Sequence, residues 1–123
     1  NLRTAVLVVE DEALVRLDIA DYLSEHGFEV HEAASADEAI AILQAVPTIR
    51  LLFTDIDMPG SMDGLKLSAA VRDRWPPVHI IVTSGHRSID IAELPEGSIF
   101  FVKPYRGPDI VKSIRELLII DRS

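Results

Sequence analysis

The sequence predicts an α/β fold, a doubly wound five-stranded parallel sheet with helices on both faces. Three observations predict it. Short apolar runs alternate five times with stripes of helical spacing, the pattern of successive βαβ units. Most of those runs are apolar at consecutive positions, as strands covered on both faces must be. The pattern fills 123 residues without a linker, repeat or low-complexity tract, so residues 1–123 read as one domain.

Ala5 to Val9 opens the pattern as a buried strand. Val15, Ile19, Tyr22 and Leu23 follow at i, i+4, i+7 and i+8, one face of a first helix, and Gly27 stands where that helix must end. Phe28 to Glu32 alternates apolar and polar residues, which predicts an edge strand. Ser35 and Glu38 form a capping box for a second helix, whose stripe Ile40, Ile42, Leu43 runs on until Pro47 stops it. Leu51 to Phe53 is the third strand, and a third helix runs from about Gly64 to Arg74, closed by Pro76-Pro77. Ile80 to Val82 is the fourth strand. Arg87 to Leu94, ahead of Pro95, leaves barely two turns, so the fourth helix is expected to be short or mobile. Ile99 to Val102 reads as a fifth, buried strand. The last helix begins after Gly107, with Pro108 at its first position, and turns Ile110, Val111, Ile114, Leu117 and Leu118 inward.

Composition excludes several classes of function. Twelve Lys and Arg stand against 20 Asp and Glu, a net charge of −8, which argues against direct binding to nucleic acid or an anionic membrane. There is no Cys, hence no disulfide framework and no thiolate metal site, and a cytoplasmic setting is expected. The longest apolar runs are five residues, Ala5 to Val9 and Ala39 to Leu43, far short of the roughly 20 that span a bilayer. Asn1 in place of an initiator Met leads us to expect that Asn1 is not the native start, which leaves room for a flanking domain.

In such a sheet the functional site lies beyond the carboxyl ends of the central strands. The residues there are Glu10 and Asp11 after the first strand, Asp55 after the third, Thr83 and Ser84 after the fourth, and Lys103 after the fifth. Three carboxylates brought together repel one another unless a cation joins them. An all-oxygen set with few carboxylates suits Mg²⁺, which keeps waters and shares phosphoryl oxygens. With the Lys103 ammonium and a hydroxyl donor, these are the parts of a phosphoryl-transfer site whose nucleophile is a carboxylate.

The segments Val8-Val-Glu-Asp-Glu12, Thr54-Asp-Ile-Asp-Met-Pro59, Val82-Thr-Ser-Gly85 and Phe101-Val-Lys-Pro104 together resemble the receiver domain of two-component response regulators. The resemblance spans essentially the whole chain. It implies the flavodoxin-like strand order 2-1-3-4-5. It also implies that Asp55 accepts a phosphoryl group from a histidine kinase or histidine phosphotransfer protein, and that an output domain or protein partner reads the change. On the metal side it implies Asp11 as a direct Mg²⁺ ligand beside Asp55, Glu10 acting through water, and the Asp57 backbone carbonyl completing the set. It further implies a cis Lys103-Pro104 bond and Phe100, three residues before Lys103, as the switch aromatic. The family uses one hydroxyl where this chain offers two; Gly85 favours Ser84, with Thr83 as the alternative. His86 stands two residues past Ser84, where it could tune hydrolysis of the acyl phosphate. His26, His31 and His79 lack metal-ligand spacing and read as surface residues. The loop from Met58 to Gly64 is one residue longer than usual in the family. Leu14, Leu17 and Ala20 form a second apolar stripe on the first helix, either a kinase-docking face or part of a broad buried one.

Two other readings compete with that of a receiver, which catalyses its own phosphorylation and dephosphorylation and has no separate substrate. One is an aspartyl phosphatase of the haloacid-dehalogenase kind built on Asp55 and Asp57, against which the acidic pair Glu10-Asp11 comes too early. The other is a receiver-like interaction module that is never phosphorylated.

Overall fold

The computed structural model describes residues 3–60, 62–85 and 90–121, with the backbone alone at Ile91. Its elements are β1 (Ala5–Val9), α1 (Ala13–Glu25), β2 (Glu29–Ala33), α2 (Ala36–Ala45), β3 (Ile49–Asp55), α3 (Gly64–Arg74), β4 (His79–Ser84), a 3-10 turn (Ile91–Glu93), β5 (Ile99–Val102) and α4 (Gly107–Ile120). The five strands make one parallel sheet in the order β2-β1-β3-β4-β5. The strand order and the helices on both faces are those the sequence implies.

Alternation along the strands sorts the apolar residues onto two faces. On one face Ala5, Leu7, Val9, Leu52, Ile80 and Val82 pack with Ala39 and Leu43 of α2 and Leu67 and Val71 of α3. On the other, Val6, Val8, Leu51, Phe53 and Ile81 meet Ile19 and Leu23 of α1 and Ile110, Val111, Ile114 and Leu117 of α4. Leu118, expected inward, is only half buried at the margin of that second face.

Local signals end the helices where expected. Gly27 has φ of 94°, a conformation other residues rarely adopt, and α1 stops two residues earlier. The Glu38 N–H donates to Ser35 Oγ at 3.2 Å, while Glu38 Oε1 accepts from the Ala34 N–H at 3.0 Å. Asp63 caps α3 by accepting from the Lys66 N–H at 3.0 Å, a cap the sequence reading passed over.

The structure sharpens several expectations. β5, the edge strand in the expected order, is half buried along its length rather than fully buried. The third strand runs two residues further at each end than its apolar centre, carrying Thr54 and Asp55 into the buried sheet. Of the short or mobile fourth helix expected over 87–94, the described residues hold the 3-10 turn Ile91–Glu93; residues 86–89 lie outside the description. His31 and His79 are partly exposed surface residues in contact with Glu29 and Asp121, at 2.8 and 2.9 Å. None of the described helices is long and apolar enough to cross a membrane.

Candidate functional site

The carboxyl ends of β1, β3, β4 and β5 bring the predicted residues together. Carboxylate oxygens of Glu10, Asp11 and Asp55 all lie within 4.8 Å of one another. Glu10 is 4% exposed and Asp55 3%, while Asp11 is the more open of the three. Lys103 reaches across from the end of β5 and places Nζ 3.0 Å from Glu10 Oε1 and 3.0 Å from Asp55 Oδ2. The Lys103-Pro104 peptide bond is cis.

Burial pushes the Glu10 and Asp55 carboxyls above their ordinary range, against the pull of Lys103 and of the N–H groups of Glu12 and Asp57. Burial also disfavours the Lys103 ammonium, but its hydrogen bonds to Glu10 and Asp55 outweigh that and hold its pKa above the ordinary lysine value. Three acids against one ammonium leave the cluster short of positive charge. That deficit, in an all-oxygen donor set, fits a hard divalent cation such as Mg²⁺. Both Glu10 oxygens are already engaged, Oε1 by Lys103 and Oε2 by the Glu12 N–H at 3.1 Å. Asp11 presents the more accessible carboxylate.

The loop after β3 folds back over the site. The Asp57 N–H donates to Asp55 Oδ1 at 3.2 Å, and Ser84 Oγ donates to Asp57 Oδ2 at 2.8 Å. Gly64 starts α3 against this turn, with its N–H on the Ile56 carbonyl at 3.1 Å. A Cβ there would lie 2.0 Å from the Asp55 carbonyl oxygen, so the close approach demands glycine.

The two candidate hydroxyls fall on opposite faces of the sheet. Thr83 is in register with Asp55 and Phe101, on the α1/α4 face. Ser84 alternates onto the other face, which Phe100 shares through its register with Val82. Phe100 is half buried and packs against the α2/α3 core. His86 lies outside the described residues.

On the α1 side, Leu14 is 82% exposed and Leu17 47%, whereas Ala20 is buried, so the second stripe splits between solvent and core. Leu14 and Val15 border an open cleft with Lys103, Pro104 and Tyr105. Tyr105 packs edge-on against Phe53, and burial lifts its phenol to about 12. The sequence reading passed over Arg16, one of 12 basic residues. Its Nη1 donates to the Glu10 carbonyl at 2.8 Å, and only its place five residues after Asp11 could have marked it.

Comparison with known proteins gives a consistent picture. The family model described as the response regulator receiver domain matches residues 6–115. A putative response regulator, NtrX-like, from Rickettsia bellii is 34% identical over 110 residues, covering 86% of this chain and 23% of that protein. The sensor kinase CckA of Brucella abortus is 33% identical over 117 residues, covering 92% of this chain and 12% of its own length. The chain thus spans about a quarter or less of these curated relatives. The crystal structure of a response regulator receiver protein from Sinorhizobium medicae superimposes with a TM-score of 0.87 at 28% identity, covering 94% of each chain.

Proposed function

This chain belongs to the response regulator receiver domain family, and on that premise we propose that it accepts a phosphoryl group on Asp55 from a phosphohistidine of a histidine kinase or histidine phosphotransfer protein. The carrying observation is Asp55 itself: a buried carboxylate at the end of a central strand, with an ammonium 3.0 Å from Oδ2 and two more acids within ligand distance. An Asp55 oxygen attacks phosphorus. The bond from phosphorus to the imidazole nitrogen breaks, the electron pair stays with that nitrogen, and an acyl phosphate forms. Lys103 neutralises charge on the phosphoryl oxygens as they arrive.

Asp11, Asp55 and the Asp57 backbone carbonyl would hold Mg²⁺, which would supply the remaining positive charge. The engagement of both Glu10 oxygens supports a role for Glu10 through water. In the unphosphorylated chain the Ser84 hydroxyl is engaged by Asp57. A phosphoryl group on Asp55 competes for that hydroxyl. Because Ser84 shares a sheet face with Phe100, its movement changes the packing space of that ring, which supports Ser84 over Thr83 as the switch hydroxyl. Attack of water on phosphorus returns the Asp55 carboxylate and inorganic phosphate, so the cycle needs no separate substrate. A partner or a flanking output module reads the difference, and a cytoplasmic setting belongs to this reading.

The phosphatase reading is set aside: its acids would follow the Lys103 strand, whereas here they precede β3, and the matched family is that of receivers. Incubation with Mg²⁺ and a small acyl-phosphate donor tests the proposal against the unphosphorylated module. The parent should gain the mass of one phosphoryl group and Asp55→Asn none. A parent that gains none under conditions where it binds Mg²⁺ is an interaction module instead.

A further inference from the structure

The short turn from β1 into α1 carries two of the three clustered acids, yet α1 begins without a side-chain cap of its own. Four bonds hold Glu10 there. Its N–H donates to the Ala33 carbonyl at 3.1 Å, Lys103 Nζ and the Glu12 N–H take its carboxylate oxygens, and Arg16 Nη1 takes its carbonyl oxygen at 2.8 Å. Only the last acts on the peptide plane joining Glu10 to Asp11. That plane sets the direction in which Asp11 projects from its own Cα.

We infer that Arg16 is a positioning residue for the acidic cluster: by holding the Glu10 carbonyl it aims the Asp11 carboxylate at Asp55. The guanidinium is itself held. Its Nε lies 3.3 Å from Glu32 Oε1 at the end of β2, its side chain is 19% exposed, and its backbone N–H donates to the Glu12 carbonyl at 2.9 Å. A planar guanidinium holds two acceptors in a fixed geometry, and an ammonium does not reproduce that fork. Arg16 therefore ties β1, β2 and α1 together at the one peptide from which the metal-side acids project.

The inference rests on the Mg²⁺ reading above, and its sign separates it from simple electrostatics. Arg16 is a cation beside a proposed cation site. If it acted only through its charge, removing it would tighten Mg²⁺ binding; if it positions the acids, removing it weakens binding. Groups that orient metal ligands typically contribute about 10–100-fold to affinity.

Isothermal titration of MgCl₂ into the metal-free parent, Arg16→Gln and Arg16→Lys, each checked by thermal unfolding, decides the matter. Arg16→Gln is expected to bind about 10-fold more weakly than the parent, with Arg16→Lys between the two. A folded Arg16→Gln that binds as tightly as the parent, or more tightly, overturns the inference, as does Arg16→Lys binding more weakly than Arg16→Gln. Should Arg16→Gln fail to fold, Arg16→Lys decides alone: weaker binding upholds the inference, and equal or tighter binding overturns it. A parent that binds no Mg²⁺ overturns the metal reading itself, a result distinct from any difference among the variants.

Discussion

Glu10 and Asp55 are charged groups kept in a place that disfavours their charge, and this governs how the molecule responds to pH. Their folded pKa values lie above the ordinary carboxylate range, so the folded state binds protons that the unfolded chain has already released. Their contribution to stability is therefore unfavourable near neutral pH and fades as pH falls through the raised values. Asp55→Asn should make the metal-free protein more stable near neutral pH, because it removes a buried charge whose pKa burial raises while Glu10 still pairs with Lys103. That advantage should shrink on acidification, as urea titrations at two pH values would measure. Protons compete with a cation for the same two oxygen sets, so Mg²⁺ affinity should begin to fall at a higher pH than ordinary carboxylates would dictate. Calorimetry across the acid range reads this directly. Lys103→Met has the opposite sign. It leaves two buried acids without their ammonium, and about 2 kcal/mol of stability should be lost, less than for a sealed pair because Lys103 is 26% exposed. These residues were legible in the sequence because Glu10 and Lys103 stand immediately beyond apolar runs and Asp55 two residues beyond one. Arg16 was not, since its role depends on a backbone carbonyl six residues away that no side-chain pattern records.

At the scale of elements, the turn from β3 into α3 fixes Asp55 by contact rather than by sequence preference. Gly64→Ala would drive a Cβ to 2.0 Å from the Asp55 carbonyl oxygen. The start of α3 must then shift, at a cost of about 1–3 kcal/mol, and acyl-phosphate labelling of Asp55 should slow in the folded fraction; chemical unfolding and mass spectrometry report the two effects. The segment from Asp90 to Gly97 is held by local bonds. Ala92 and Glu93 N–H groups donate to Asp90, and Ser98 to Pro95, at 2.9, 2.9 and 3.1 Å. Its amides should exchange faster than those of β4 or β5, and phosphorylation should alter their protection; slow exchange unaffected by phosphorylation would place the output surface elsewhere. The limits of sequence reading are of the same kind. Ile99 to Val102 is apolar throughout, and a four-residue run does not say how completely its two faces are covered. Asp63 was one acid among many until α3 was seen to begin beside it.

The whole molecule is a two-faced sheet with its acidic cluster at one end. Its apolar layers pack α2 and α3 on one face and α1 and α4 on the other, and the site touches both, through Ser84 and Phe100 on the first and through Thr83 and Tyr105 on the second. A change of charge at Asp55 therefore reaches both helix layers without crossing the sheet. That the sheet is parallel and covered on both faces was legible in the consecutive apolar runs, whereas its strand order came only with the family resemblance. Which face Ser84 takes was not, because that depends on where β4 comes into register with β3. The central claim is an acyl phosphate on Asp55. Borohydride reduces an aspartyl phosphate to homoserine, so reduction after incubation with Mg²⁺ and a small acyl-phosphate donor, followed by peptide mass mapping, reads the position of the bond. The account predicts homoserine at position 55, present only when donor and Mg²⁺ were both supplied; homoserine at another acid, or none in a chain that has gained a phosphoryl group, would contradict it.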